Sequence, residues 1–155
     1  MKVREIMTSD VITVRRDTPV NDIAELMSER DISGVPVVDE SNHVVGIITE
    51  LDMIVRNTRL ELPAFIQILD LARIPLERPG HYRDRLRHML GTQAADIMTE
   101  NVVTVSPDAQ VEDLAEVMVK RRLNPVPIVE HGVLVGIVSR ADLIRMMARK
   151  LESEA

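Results

Sequence analysis

The chain of 155 residues contains no cysteine and no tryptophan, and Phe65 and Tyr82 are its only residues with a phenyl ring. Without cysteine no disulfide can form, so the sequence does not indicate a redox compartment. With so few aromatic residues, a core must be built from Val, Ile, Leu, Met and Ala, which are abundant. The same shortage excludes an extended aromatic platform on which bases could stack.

An excess of positive charge is also absent. The formal net charge is −6, whereas a surface that binds nucleic acid usually shows a basic face. Residues 1–11 carry charge early and lack the apolar stretch of a signal peptide. No apolar run approaches the roughly 20 residues that a membrane-spanning helix needs. We therefore expect a soluble, cytoplasmic protein that binds neither nucleic acid nor membranes.

The sequence does contain an internal repeat. Four segments occur twice in the same order, and they define a first and a second copy. The matching pairs are Met7–Asp17 with Met98–Asp108, Val20–Arg30 with Val111–Arg121, Gly34–Glu40 with Pro125–His131, and Val44–Ile54 with Leu134–Ile144. The polar turn before the last pair is one residue shorter in the second copy. Surface turns tolerate insertions and deletions of this size.

Each copy predicts the element order β-α-β-β-α. Short β-branched runs at 11–14 and 102–105 are typical of strands, and the two later apolar runs of each copy flank a polar turn, which favours a hairpin. A second helix is expected to begin at Thr49 or Ser139. One copy is too short to bury both faces of its sheet. We therefore predict a mixed α/β (α+β) fold in which the copies pack sheet to sheet with pseudo-two-fold symmetry and leave clefts where they meet.

The first helix of each copy is predicted from its apolar periodicity. In the first copy Ile23, Leu26 and Met27 share one helical face, while the acidic residues between them face water. Thr18 suits the N-cap position of this helix, with Pro19 at its first helical position, where the missing N–H costs nothing.

These motifs resemble a tandem pair of cystathionine-β-synthase (CBS) domains. The resemblance rests on IMT before the first strand, TV at its end, the strand VPVVD or VPIVE, and the pattern G-I-[IV]-[TS]-x-x-D-[ML]-I at the second helix. Both copies contain all of these motifs. The implied organisation is one repeat at 1–56, an insertion at 57–93, a second repeat at 94–150 and a C-terminal tail at 151–155.

The pattern [TS]-x-x-D at the start of the second helix has two interpretations that do not exclude each other. Thr49 with Asp52, and Ser139 with Asp142, fit a capping box, in which hydroxyl and carboxylate satisfy unpaired backbone N–H groups. A helix N-terminus also favours phosphate, and a carboxylate can accept hydrogen bonds from two adjacent ribose hydroxyls.

The resemblance implies that these positions bind an adenosine nucleotide, with the acid on the ribose. AMP, ADP, ATP and S-adenosylmethionine are the candidate ligands; no cofactor is required, and Mg²⁺ would arrive only on a nucleotide. Strand residues near the adenine edge, and threonines at the ends of the first strands, are also implicated, although each could equally be an ordinary core or strand residue. The candidate binding residues are Thr49, Asp52, Ser139, Asp142, Thr13, Val35, Pro36, Thr104, Val126 and Pro127.

The insertion at 57–93 matches no repeat and predicts a pair of helices. Its arginines concentrate positive charge in an otherwise acidic chain. They could form a solvated face, or reach a nucleotide phosphate or an acidic partner. Its apolar stripe, which includes Phe65, could be a dimer contact. The arginines in question are Arg73, Arg78, Arg83, Arg85 and Arg87.

Two functions follow from the sequence. The first is a regulatory module that senses an adenosine-containing ligand and acts through a partner, such as an enzyme or a transporter. The second is a structural scaffold for dimerisation and docking, with no bound nucleotide. The sequence contains no catalytic constellation and no metal-binding pattern, so we do not expect an enzyme. By resemblance to CBS modules we expect a homodimer.

Overall fold

The structure is a computed structural model that describes residues 1–54 and 93–154. The predicted helical pair of the insertion, with its arginines and Phe65, lies outside the described residues. Only Gln93, at the end of that segment, falls within them.

The described elements appear in the same order in both copies. The first copy contains a 3₁₀ turn (Val3–Glu5), helix α1 (Val20–Arg30), strand β1 (Gly34–Val38), strand β2 (Val44–Thr49) and the start of helix α2, described over residues 50–54. The second contains helix α3 (Ala94–Ile97), helix α4 (Val111–Lys120), strand β3 (Val126–Glu130), strand β4 (Val133–Val138) and helix α5 (Arg140–Glu154). Helix α5 thus includes residues 151–154 of the expected C-terminal tail.

Each copy forms one antiparallel hairpin. Strand β1 pairs with β2, and strand β3 pairs with β4. This confirms the predicted hairpins and the mixed fold. Among the residues that the structure describes, no helix is long and apolar enough to cross a membrane.

The first strand predicted in each copy is shorter than expected. The run at 11–14 contributes a single parallel bridge, in which the N–H of Val14 donates to the Pro36 carbonyl at 3.1 Å and the Val14 carbonyl accepts from Val38 at 3.0 Å. Val105 bridges to Ile128 in the same way. The earlier residues of each run do not join the ladder, and Val11, Ile12, Val102 and Val103 among them line the clefts described below.

Helix α1 buries the face that the periodicity predicted, but its N-cap is one residue later. Ile23 is fully buried and Met27 nearly so. The cap residue is Pro19, which makes no side-chain capping bond. The Thr18 hydroxyl instead accepts a hydrogen bond from the Arg15 N–H at 2.9 Å, and the Thr18 carbonyl accepts from Ala94 of the second copy. Contact with the other copy therefore fixes this residue.

Each hydrophobic core contains a segment from the other copy. The first core is built on α1, β1 and β2, and it is completed by Ala94, Ile97 and Met98. The second core is built on α4, β3 and β4, and it is completed by Val3, which is fully buried. The two copies thus exchange the short segments that precede their first strands.

Backbone hydrogen bonds hold the exchanged segments in place. Thr8 and Ile137 bond each other through both N–H groups, at 2.9 and 3.0 Å. Thr99 and Ile47 do the same, at 2.9 and 3.0 Å.

The Asp108 carboxylate also accepts from the N-terminal segment, from the Lys2 ammonium at 3.1 Å and the Arg4 guanidinium at 2.7 Å. The hydrogen bond from Lys2, and next the contact with Arg4, lower the pKa of Asp108 below its ordinary value.

The two hairpins also meet directly. At one end a Cβ on Gly34 would lie 2.5 Å from the Cδ of Pro125, so only glycine permits this approach. At the other end the Asn42 carbonyl accepts from the Leu134 N–H, and the Asn42 side-chain amide donates to the Leu134 carbonyl, both at 3.0 Å. Gly34 and Pro125 are equivalent positions of the repeat, so this contact lies at its pseudo-two-fold axis.

Candidate functional site

Two clefts of nearly equal size lie where the copies meet. We call them the Ser139 cleft, of about 490 Å³, and the Thr49 cleft, of about 480 Å³. The Ser139 cleft contains Ser139 and Asp142, and the Thr49 cleft contains Thr49 and Asp52. The four residues of the duplicated [TS]-x-x-D pattern therefore line the clefts in two pairs.

Both copies contribute to each cleft. The wall opposite Ser139 comes from the first copy, through Thr8, Val11 and Ile12. The wall opposite Thr49 comes from the second copy, through the equivalent residues Thr99, Val102 and Val103. The exchange of segments creates this arrangement, because it places the first-strand region of one copy beside the second helix of the other. The short aliphatic runs provide apolar surface on which a base could lie.

The acid of each pattern folds back onto the residue that precedes the helix. In the Ser139 cleft, Oδ2 of Asp142 accepts from the Ser139 N–H at 2.7 Å and from its hydroxyl at 2.8 Å. In the Thr49 cleft, Oδ2 of Asp52 accepts from the Thr49 N–H at 2.8 Å and from its hydroxyl at 3.1 Å.

Only the acidic half of the predicted capping box is formed. The acid accepts from the backbone N–H of the cap residue, as predicted. The hydroxyl donates to the carboxylate instead of accepting a backbone N–H. In the second copy the Asp142 N–H donates to the Ser139 carbonyl at 3.1 Å, so it does not bond the hydroxyl. Hydroxyl and carboxylate therefore form one polar unit at the cleft wall.

The two acids differ in their remaining contacts. Asp142 is 9% exposed, and its Oδ1 accepts from the guanidinium of Arg145, one turn along α5. Asp52 is partly buried. Within the described part of the chain, both hydrogen bonds to Asp52 fall on Oδ2.

The other candidate residues are distributed differently. Pro127 lines the Thr49 cleft. Val35, Pro36 and Val126 are fully buried in the two cores and are not among the residues that line either cleft. The carbonyls of Pro36 and Pro127 accept from the first-strand bridges, at 3.1 and 3.2 Å, so they are already hydrogen-bonded. The structure thus places Val35, Pro36 and Val126 behind the cleft walls.

Thr13 and Thr104 also stand apart from the clefts. Thr13 is partly buried and Thr104 is exposed. Neither is among the lining residues, whereas their neighbours Ile12 and Val103 are. The two residues before each threonine line the cleft instead, Val11 with Ile12 and Val102 with Val103.

Several charged lining residues were missed by the sequence reasoning. Asp31 lines the Ser139 cleft, and its repeat equivalent Arg122 lines the Thr49 cleft. Both follow the first helix of their copy in the left-handed conformation, with φ of 49° and 54°. Glu50 and Arg140, also equivalent positions, border both clefts. A comparison of equivalent positions of the repeat shows that these charges differ, but it does not show that the residues line a cleft.

A third cavity adjoins the Ser139 cleft. It encloses about 580 Å³ and shares Thr8, Asp142 and Arg145 with that cleft. Its outer part lies along α5, where Arg149 and Lys150 line it. The cavity extends the Ser139 cleft towards the exchanged N-terminal segment.

Comparison with known proteins supports the repeat. A model of the CBS domain family matches residues 3–56 and 94–149, more than half of the chain. Protein MJ1426 of Methanocaldococcus jannaschii is 30% identical over 154 residues, an alignment that covers 95% of this chain and 91% of that protein. Other relatives are longer, since the chain spans 42% and 32% of two further proteins from the same organism.

Solved structures share the fold. CBSX2, solved in complex with AMP, matches with a TM-score of 0.76 and 21% identity, covering 96% of this chain and 97% of CBSX2. The CBS domain pair of protein MJ0100, solved with 5′-methylthioadenosine and S-adenosyl-L-methionine, matches with a TM-score of 0.73 and 24% identity, covering 97% and 98% of the two chains. At these identities the matches establish the architecture.

Proposed function

Because this chain belongs to the CBS domain family, we propose that it is a regulatory module that binds an adenosine-containing ligand in the clefts between its two repeats. One observation supports the proposal most strongly. The hydroxyl and carboxylate of both [TS]-x-x-D patterns form polar units at the walls of clefts that both copies build.

The chemistry of these units suits a ribose. A carboxylate offers about four acceptor positions on two oxygens, and Asp52 uses only Oδ2 in the described contacts. Among the described contacts its Oδ1 is left to accept from a vicinal diol. The hydroxyl of Thr49, already oriented by the acid, offers its lone pairs to a further donor. In the other cleft Oδ1 of Asp142 already accepts from Arg145, so a diol there would use the remaining lone pairs of the carboxylate and the Ser139 hydroxyl.

The clefts also have the size and lining of a small-molecule site. Volumes near 480–490 Å³ fall within the range of about 300–1,000 Å³ for ligand pockets. Aliphatic residues such as Val11, Ile12, Val102 and Val103 provide apolar surface for a purine. The ligands of two structural neighbours, AMP in one and S-adenosyl-L-methionine with 5′-methylthioadenosine in the other, suggest the compounds to test.

A scaffold function without a nucleotide is the second candidate, and an exposed apolar helix face suggests it. Helix α5 exposes Ile144, Met147 and Leu151, which are 64%, 56% and 70% exposed. These residues share one helical face and would be buried in a homodimer. A homodimer is compatible with both functions, and only ligand binding separates them.

Isothermal titration calorimetry with AMP, adenosine, 5′-methylthioadenosine and S-adenosylmethionine tests the proposed function. We expect at least one of them to bind, and we expect the double variant Asp52→Asn, Asp142→Asn to lose tenfold or more in affinity. Asparagine keeps one acceptor oxygen for the cap but loses the charged, two-oxygen acceptor, so the melting temperature should change little.

Asp113→Asn is the matched control. This exposed residue of α4 lies outside the lining of both clefts, so its substitution should leave affinity unchanged. If the folded wild-type protein bound none of the four compounds, only the scaffold function would remain.

A further inference from the structure

The two clefts carry different charges. They are related by the repeat, yet two equivalent pairs of lining residues differ. Asp31 of the Ser139 cleft is replaced by Arg122 in the Thr49 cleft, and Asp10 is replaced by Asn101. Each replacement makes the Thr49 cleft less negative than its counterpart.

The Ser139 cleft is lined by an excess of carboxylates. Arg140 and Arg145 are its cations, and the Arg145 guanidinium is paired with Asp142. Within residues 1–54 and 93–154, the other three carboxylates make no ion pair. The four acids that line this cleft are Asp10, Asp31, Glu50 and Asp142.

In the Thr49 cleft the acids and the cations are equal in number. Its acids are Glu50 and Asp52, and its cations are Arg122 and Arg140. Neither guanidinium has an ion-pair partner among the described residues. Two unneutralised guanidinium groups beside a cleft suit a phosphate, because their planar set of donors matches phosphate oxygens.

We propose that the two clefts select adenosine ligands by charge. The Thr49 cleft takes a ligand with a phosphate, such as a nucleoside monophosphate. The Ser139 cleft takes an adenosyl compound without phosphate, neutral or positively charged. This inference rests on the proposed function, because it assigns ligand classes to the same two clefts.

The physical reason lies in the cost of bringing like charges together. A phosphate in the Ser139 cleft would approach three exposed carboxylates that make no ion pair among the described residues, with Arg140 as the unpaired cation beside them. The net charge around it would be negative, and like charges at short distance repel. A sulfonium or ammonium group would meet the same carboxylates favourably. In the Thr49 cleft the guanidinium of Arg122 takes the place of the Asp31 carboxylate, so the preference is reversed.

Single-cleft variants separate the two sites. Asp142→Asn leaves the Thr49 cleft intact, and Asp52→Asn leaves the Ser139 cleft intact. By calorimetry we expect AMP to bind Asp142→Asn about tenfold or more tightly than it binds Asp52→Asn. S-adenosylmethionine should show the reverse order. Equal affinities of AMP for both variants, or tighter binding to Asp52→Asn, would overturn the inference.

Exchanging the charge at position 122 tests whether Arg122 causes the preference for phosphate. Arg122→Asp gives the Thr49 cleft the residue of the other copy, and it should weaken AMP about tenfold while adenosine, which has no phosphate, changes less than twofold. Arg121→Asp is the control, since this exposed neighbour lines neither cleft. Equal weakening of AMP and adenosine would mean that Arg122 acts through packing, and the charge assignment would fall.

The result also separates the two proposals. If none of the compounds bound the wild-type protein, the proposed function would fail together with this inference. If adenosine compounds bound without any preference by charge, the proposed function would stand and only this inference would fail.

Discussion

Two glycines, Gly46 and Gly136, each pack against a methionine of the other copy. A Cβ on Gly136 would lie 2.5 Å from the Sδ of Met7, and a Cβ on Gly46 would lie 2.5 Å from the Sδ of Met98. The two contacts are equivalent in the repeat. They give a physical reason for the glycine in the G-I-[IV] motif and for the methionine in the IMT motif.

Gly136→Ala should therefore destabilise the protein by about 1–3 kcal/mol, the usual cost of overpacking. Chemical denaturation measures the loss. Met7→Ala would remove Sδ and Cγ, which would lie 2.5 and 2.9 Å from the new methyl group. The double variant should therefore be clearly more stable than the sum of the two single effects predicts. Strict additivity would show that the methionine side chain is not the source of the cost.

At the level of single residues, the sequence predicted local chemistry better than distant contacts. The reach of Asp52 and Asp142 back to the helix start follows from a spacing of three residues. The role of Thr18 could not be found in this way, because its carbonyl bonds Ala94, which is remote in sequence. The charges of Asp31 and Arg122 were visible in the sequence, but their positions in the clefts depend on how the copies pack.

Among the elements, helix α5 has a face that the described chain leaves uncovered. Ile144, Met147 and Leu151 follow the i, i+3, i+7 spacing of one helical face, and all are more than half exposed. Apolar groups arranged in this way are typical of an interaction surface. A second copy of the chain would cover them in the homodimer that the resemblance implies.

Met147→Glu with Leu151→Glu should weaken this homodimer. Full burial of each apolar side chain contributes about 1.5–3 kcal/mol, so the loss of both should raise the dissociation constant at least a hundredfold. Sedimentation velocity measures the oligomeric state over a range of concentrations. Val119→Glu is the matched control, because Val119 is an apolar residue of α4 that is 76% exposed. A wild-type protein that stayed monomeric, or a variant that dimerised equally well, would contradict the assignment of this face.

The hairpins and helices were predictable because their periodicity is local, whereas the first strands were not. The run at 11–14 has the β-branched composition of a strand, but only Val14 bridges to β1. The composition shows that such residues suit an extended backbone. It does not show whether another strand is available along their whole length, and here Val11 and Ile12 face a cleft instead.

For the whole molecule, the exchange of segments makes the two cores interdependent. Val3 completes the second core, and Ile97 completes the first. The sequence could not predict this exchange, because each hairpin could have paired with the segment of its own copy and left the same apolar pattern. Only the three-dimensional arrangement distinguishes the two pairings.

Thermal unfolding should therefore show one transition. Val3→Ala, at a fully buried position, should cost about 1–3 kcal/mol, and Ile97→Ala, 7% exposed, about 2–5 kcal/mol. Both should lower the same melting temperature, and their effects should be seen equally by calorimetry and circular dichroism. Val119→Ala should change stability by less than about 0.5 kcal/mol. Two separate transitions, each sensitive to only one substitution, would show that the copies unfold independently.

Because the two copies are covalently linked, their two contact regions can differ in sequence, which is impossible in a symmetric pair of single-copy chains. In such a pair the two contact regions would be built from identical residues, so any mutation would alter both at once. Within one polypeptide each region can change alone, as Asp31 and Arg122 have done. Tandem duplication thus allows one small protein to evolve two receptors of different preference from a single ancestral design.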